Sequence, residues 1–180
     1  MSIKEPDQQV KIWMQLAWEA YSKKRLIQVF HYFNRALEYA EQRELKHEVA
    51  WICRDLGYVH ARQGSLRKAL DYLNKGLVHQ PDGLEIEIRV GLITNKASVL
   101  ARLGSYRKAV ELLEQGASLI LTHYQNLSLA SSHMVLSYAG ILRMAKDLRK
   151  VVDLLDQGFP PERIQVEITG YNPYNHSENG

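Results

Sequence analysis

The amino-acid sequence predicts an all-α protein built from repeated helix pairs, and three observations support this. Between Asp7 and Phe159 only one proline, Pro81, interrupts the chain. An interior proline costs a helix about 3 kcal/mol, so this long stretch is permissive for helices. A short sequence pattern also recurs about every 40 residues. Finally, apolar residues recur at the spacings of three and four that mark one helix face, as in Leu66, Ala69, Leu70, Leu73 and Leu77.

Length and composition are those of one folded domain. The chain has 180 residues, of which 46% are hydrophobic and 24% charged, with a net charge of +3. These values exclude a chain that is disordered throughout, and the mild positive charge does not favour a nucleic-acid binder. The single cysteine excludes an internal disulfide framework and indicates a reducing compartment. The first residues, MSIKEPDQQVKIW, carry no apolar run of signal-peptide length, and no membrane span is expected, so we predict a cytoplasmic protein.

The repeat is clearest in the middle of the chain. Residues 64–70 read GSLRKAL and residues 104–110 read GSYRKAV. Residues 24–30 (KRLIQVF) precede them by 40 positions, and residues 146–152 (KDLRKVV) follow after 42. A period of this size indicates stacked units, each a helix pair that buries its apolar face against its neighbours.

Local signals place the turns and one ambiguous helix within this repeat. Gly64 and Gly104 stand where the two helices of a unit are joined, a position that often needs a positive φ. Pro81 is expected to end the second helix of the second unit. Residues 84–90 alternate apolar and charged side chains, as a strand does, but their place in the repeat predicts a helix.

The sequence resembles the tetratricopeptide repeat (TPR) family over about residues 8–158. The second unit carries the fullest match, at the family's relative spacings: Cys53, Leu56, Gly57, His60, Gly64, Leu66, Ala69, Leu73, Gly76 and Pro81. Corresponding residues begin at Trp13, Ile93 and Val135 in the other units. The resemblance implies a right-handed superhelical stack of four TPR-like helix-turn-helix pairs in residues 1–158. Residues 159–180 are predicted to form a short extended or disordered C-terminal tail. Units of 40–42 residues are longer than the common 34, as in some TPR subgroups.

No catalytic constellation is visible in the sequence. Seven histidines are scattered without a metal-binding spacing, and there is no glycine-rich phosphate loop. Cys53 falls on a predicted core face and is read as a small buried hydrophobe. We therefore expect neither an enzyme nor a bound cofactor or metal.

The resemblance implies a concave groove lined by the first helix of each unit. Trp, Tyr and Arg are the residues that most often anchor interfaces, and four arginines would favour an acidic segment or a C-terminal carboxylate. The alternative is that the aromatic residues pack in the core and the arginines lie on a solvated face. The candidate partner-binding residues are Trp18, Tyr21, Trp51, Arg54, Tyr58, Arg62, Asn95, Arg102, His133 and Arg143.

These features favour a protein–protein interaction module, an adaptor or assembly factor that binds a partner peptide or helix in the groove. Two alternatives stay open. One is a peptide-sensing regulator, and the other is a structural homo-oligomer, such as a homodimer, formed through an uncapped last unit. Nucleic acid and membrane insertion are not expected. The tail either folds into the groove or covers the last unit.

Overall fold

The computed structural model describes residues 6–78, 85–124 and 132–158, the first four residues of the last range by their backbone alone. Within these ranges the chain forms seven helices and no strand, so the all-α prediction is confirmed. The ambiguous segment belongs to a helix from Ile86 onward, as predicted. The predictions for Pro81 and for the tail, residues 159–180, lie outside the described residues.

Six of the helices form three hairpins, and the seventh packs on the last of them. Each helix packs against the next one along the chain, and α3 also contacts α5, which places the first helices of the second and third hairpins side by side. No helix in the described ranges is both long enough and apolar enough to cross a membrane. The helices are α1 (Gln8–Ser22), α2 (Leu26–Gln42), α3 (Lys46–Arg62), α4 (Leu66–Val78), α5 (Ile86–Arg102), α6 (Tyr106–Tyr124) and α7 (Ser132–Asp156).

The three hairpin turns share one backbone geometry at one repeat position. Gly64 and Gly104 have φ values of +76° and +79°, as their place in the repeat predicted, and Lys24 has +57°. In each turn the following amide donates to the carbonyl five residues earlier, at 2.8–2.9 Å. This hydrogen bond is typical of helices that end on a left-handed residue. A lysine in that conformation costs roughly 1–2 kcal/mol more than glycine.

Close helix approach within the second hairpin depends on Gly57. The glycine is buried, and a Cβ added to it would lie 2.5 Å from Cγ of Leu73, itself fully buried on α4. Cys53, one turn earlier on α3, is also fully buried, and desolvation raises the pKa of its thiol to about 12. That burial is consistent with Cys53 acting as a small hydrophobe.

Alanine substitution is expected to have opposite effects at Gly57 and at Gly140. A Cβ at Gly140, exposed on α7, meets nothing within 4 Å, so Gly140→Ala should stabilise the fold by about 0.5–1 kcal/mol through helix propensity. Gly57→Ala makes the same propensity gain but must displace Leu73, and overpacking of this kind costs about 1–3 kcal/mol. Urea unfolding measures the change in the free energy of unfolding for both variants. A Gly57→Ala protein that is more stable than wild type would contradict the close packing of Gly57 against Leu73.

Within residues 132–158, the fourth predicted helix pair is not formed. Residues Ser132–Asp156 make one continuous helix, and Lys146, at the predicted turn, lies inside it. Its sequence explains the difference, because no glycine stands at this position and Met144, Ala145 and Lys146 are strong helix formers. Two ion pairs also fasten α7 along α6, from Arg107 to Asp156 and from Arg149 to Glu114.

Candidate functional site

Four of the predicted site residues meet where side chains of α1 contact side chains of α3. The ring centroid of Trp18 is 5.3 Å from that of Tyr21 and 6.0 Å from that of Tyr58. Trp18 also packs edge-on against Phe33 of α2, at 5.8 Å. Arg54 lies one turn before Tyr58 on α3, and both are buried, at 5% and 8% exposure. The name junction cluster is used below for Trp18, Tyr21, Arg54, Asp55 and Tyr58.

Asp55 is the centre of the junction cluster and is not among the site residues predicted from the sequence. Its carboxylate is fully buried and accepts two hydrogen bonds, from Trp18 Nε1 at 2.9 Å and from Arg54 Nε at 2.8 Å. Burial raises the pKa of Asp55, and the attraction of Arg54 and the hydrogen bonds oppose that rise. A carboxylate between core positions Cys53 and Leu56 is the signal that could have revealed it, because an Asp is almost never fully buried without a partner.

Forty residues further on, Asn95 takes the place of Asp55 in the repeat. It is 2% exposed, and within the described parts of the chain neither its amide nitrogen nor its amide oxygen has a hydrogen-bond partner. An unsatisfied buried polar group costs about 1–3 kcal/mol. The neighbouring Thr94 is satisfied within α5, where its hydroxyl donates to the carbonyl of Val90 at 2.8 Å.

The four predicted arginines are in different situations. Arg54 is engaged by Asp55, and Arg102 donates from Nη1 to the carbonyl of Ala61 near the end of α3. Arg62 and Arg143 are exposed, on α3 and α7 respectively. The four arginines therefore do not form a single row of similarly placed side chains along one groove.

The remaining predicted residues are Trp51 and His133. Trp51 is half-buried on α3 and packs against two apolar clusters, one formed by α1, α2 and α3 and the other by α3, α4 and α5. His133 belongs to α7, and the structure describes its backbone but not its side chain.

A cavity of about 520 Å³ opens beside Trp51 and Arg54, where α3 and α5 begin. Its volume falls in the range typical of small-ligand sites, about 300–1,000 Å³. We call it the rim pocket. Among the described residues, its apolar wall includes Pro6, Leu45, Trp51 and Ile88. Its polar wall includes Glu44, Lys46, His47, Glu48, Arg54, Glu85 and Glu87.

Two of the pocket glutamates are held in place by neighbouring elements. The backbone N–H of Asp7, just before α1, donates to Glu48 Oε1 at 3.0 Å. The hydroxyl of Tyr124, in the last turn of α6, donates to Glu87 Oε1 at 3.4 Å. Across the described ranges, no group of three or more His, Cys, Asp and Glu side chains is arranged to hold a metal ion.

Comparisons with known proteins found no matching family model, no matching curated protein and no matching solved structure.

Proposed function

We propose that the chain is a non-enzymatic interaction module that binds a peptide or helix of a partner protein, as an adaptor or assembly factor. In this proposal its three hairpins and α7 belong to a TPR-like right-handed stack, and the partner lies along α1, α3 and α5. The observation that carries the proposal is the rim pocket, a ligand-sized cavity next to the junction cluster, with Trp51 in its wall.

The junction cluster supports the proposal because it is pre-organised. The carboxylate of Asp55 fixes the Trp18 indole through one hydrogen bond and the Arg54 guanidinium through another. Side chains that are already ordered lose little conformational entropy when a partner binds, and that entropy is a main cost of association.

The length of α3 sets the scale of the partner. Arg62 is exposed at the end of α3, eleven residues after Trp51, a separation of roughly 16 Å at 1.5 Å per residue. An extended peptide spans that distance with about five residues. An acidic segment or a C-terminal carboxylate of the partner would contact Arg62 while the adjacent residues reach the rim pocket.

The test is a selection of random 12-residue peptides displayed on phage against the wild-type protein, followed by calorimetry on the selected peptides. Trp51→Ala is expected to weaken their binding at least tenfold, because aromatic anchors in pockets carry much of the binding energy. Trp13→Ala is the matched control. Trp13 is also half-buried but packs against Tyr39, away from the pocket. Arg54 is avoided because its substitution disturbs Asp55.

Selected peptides whose affinity falls with Trp51→Ala, but stays within about twofold for Trp13→Ala, would support the proposal. Circular dichroism must show that both variants keep their helices. A selection that enriches no peptide, or an equal loss of affinity in both variants, would contradict it.

A further inference from the structure

We infer that the rim pocket binds a cationic group, the guanidinium or ammonium of an arginine or lysine side chain, within the partner segment. This inference rests on the proposed function, because it specifies one residue type of the peptide that the module binds. Its basis is the charge of the pocket wall, the burial of Glu48 and the spacing of the glutamates.

The described part of the pocket wall carries a net negative charge, although the chain as a whole carries +3 with histidine neutral. Among the described residues, four glutamates line the pocket, against Lys46 and Arg54. Arg54 is already paired with Asp55, so it adds little positive charge to the pocket. The N-terminal ends of α3 and α5 each contribute about half a positive charge, which is less than the excess of carboxylates.

Glu48 is the most buried of the four glutamates that line the rim pocket. Its side chain is more than nine-tenths buried, at 6% exposure, and it forms no ion pair with any of the described residues. Its hydrogen bond comes from a neutral backbone N–H of Asp7. Buried charges in proteins are normally paired. A cationic side chain in the rim pocket would be placed to pair with Glu48.

The shape of the pocket favours an organic cation over a metal ion. No three acidic groups in the described part of the chain are close enough to hold a metal, so the glutamates are spread around the cavity. A guanidinium has five N–H donors and can hydrogen-bond to separated carboxylates. The apolar wall, with Trp51, Leu45 and Ile88, would contact the aliphatic stem of the same side chain. The Trp51 ring can add a cation–π contact.

The test uses a small probe, so that it does not depend on any selected peptide. N-acetyl-L-arginine amide is titrated into ¹⁵N-labelled protein, and the Trp51 indole N–H signal, assigned with Trp51→Phe, is followed by NMR. The neutral control is N-acetyl-L-citrulline amide, which has nearly the same shape. The arginine probe is expected to give a saturable shift with a dissociation constant of ~1–10 mM, and the citrulline probe to bind at least tenfold more weakly.

Charge-reversed variants locate the effect. The double variant Glu44→Lys/Glu85→Lys should weaken the arginine probe at least tenfold. Both side chains are exposed, and Lys24 shows that this chain accepts lysine at the positive φ of Glu44. The control Glu38→Lys/Glu111→Lys makes the same charge change at exposed positions outside the pocket and should leave binding nearly unchanged. Glu48→Gln, which keeps a hydrogen-bond acceptor for Asp7, should also weaken binding.

Equal binding of the arginine and citrulline probes, or equal weakening by both double variants, would overturn the inference. The result is separable from that of the peptide selection. If the selection yields peptides but the pocket does not prefer the arginine probe, the inference is refuted and the proposed interaction module is still supported. A pocket specific for the arginine probe, combined with a failed selection, would support the pocket chemistry and refute the proposed function.

Discussion

Replacing Asp55 with alanine is expected to lower the free energy of unfolding by about 3–5 kcal/mol. The carboxylate is fully buried and accepts hydrogen bonds from Trp18 Nε1 and Arg54 Nε. Its removal takes away the buried carboxylate that forms an ion pair with Arg54, a side chain that is itself only 5% exposed. Removing one partner of a buried ion pair typically has a cost of this size, because the remaining charge stays desolvated.

Urea unfolding measures the loss, and Asp71→Ala is the control. Asp71 is an exposed aspartate on α4, so its substitution should change stability by no more than about 0.5 kcal/mol. Asp55→Asn should cost less than Asp55→Ala, because the amide fits the same space and Asn95 already occupies the equivalent position on α5. A loss below about 1 kcal/mol for Asp55→Ala would show that this ion pair does not organise the junction.

The pH dependence of the Asp55→Asn variant tests the electrostatics separately. Burial raises the pKa of Asp55 in the folded state, so the folded protein holds this proton more tightly than the unfolded chain does. The resulting stability is present below the unfolded value of about 3.9 and is lost as pH rises through the folded value. The variant lacks this titration. Its deficit relative to wild type should therefore shrink as pH rises from about 4 through the raised pKa of Asp55 in the folded protein.

Sequence periodicity predicted the hairpins well because their turns have a strong local signal. Gly64 and Gly104 were expected to need a positive φ, and they have it. Lys24 adopts the same conformation without being glycine, so the repeat register, and not the residue type, locates the first turn. Helix periods and turn geometry are properties of short segments, which is why a single sequence can reveal them.

The candidate site was only partly accessible from the sequence. Counting along the repeat selected Trp18, Arg54 and Tyr58, but it passed over Asp55, whose role depends on contacts across two helices. The acidic wall of the rim pocket was equally hidden. Glu48 and Glu87 are 39 positions apart in the chain and become neighbours of one cavity through helix packing. Such a charge pattern follows from tertiary structure and leaves no contiguous motif.

The fourth unit shows where a repeat pattern fails. Residues 146–152 (KDLRKVV) resemble the beginning of the second helix in the earlier units. The turn of those units requires a left-handed residue followed by a new helix start, and Lys146 is preceded by Met144 and Ala145, which favour continuation. Leu148 is then fully buried as part of α7 without any turn. Similarity to the repeat thus predicts which residues of this segment are buried, but it does not predict whether the chain turns at Lys146.

Lys146→Pro is accordingly expected to destabilise the protein by about 3 kcal/mol or more, because proline breaks a hydrogen bond inside α7 and clashes with the preceding turn.

Lys146→Gly gives a sharper test, since the sign of its effect on stability differs between one continuous helix and a hairpin with a turn at Lys146. In a continuous helix Lys146→Gly should cost about 1 kcal/mol, whereas in a hairpin turn it should stabilise by a similar amount. Lys24→Gly is the matched control and should stabilise by roughly 1 kcal/mol, because Lys24 has a φ of +57°. Urea unfolding that shows the same stabilising sign for both glycine variants would restore the fourth helix pair, and opposite signs would establish α7 as one helix.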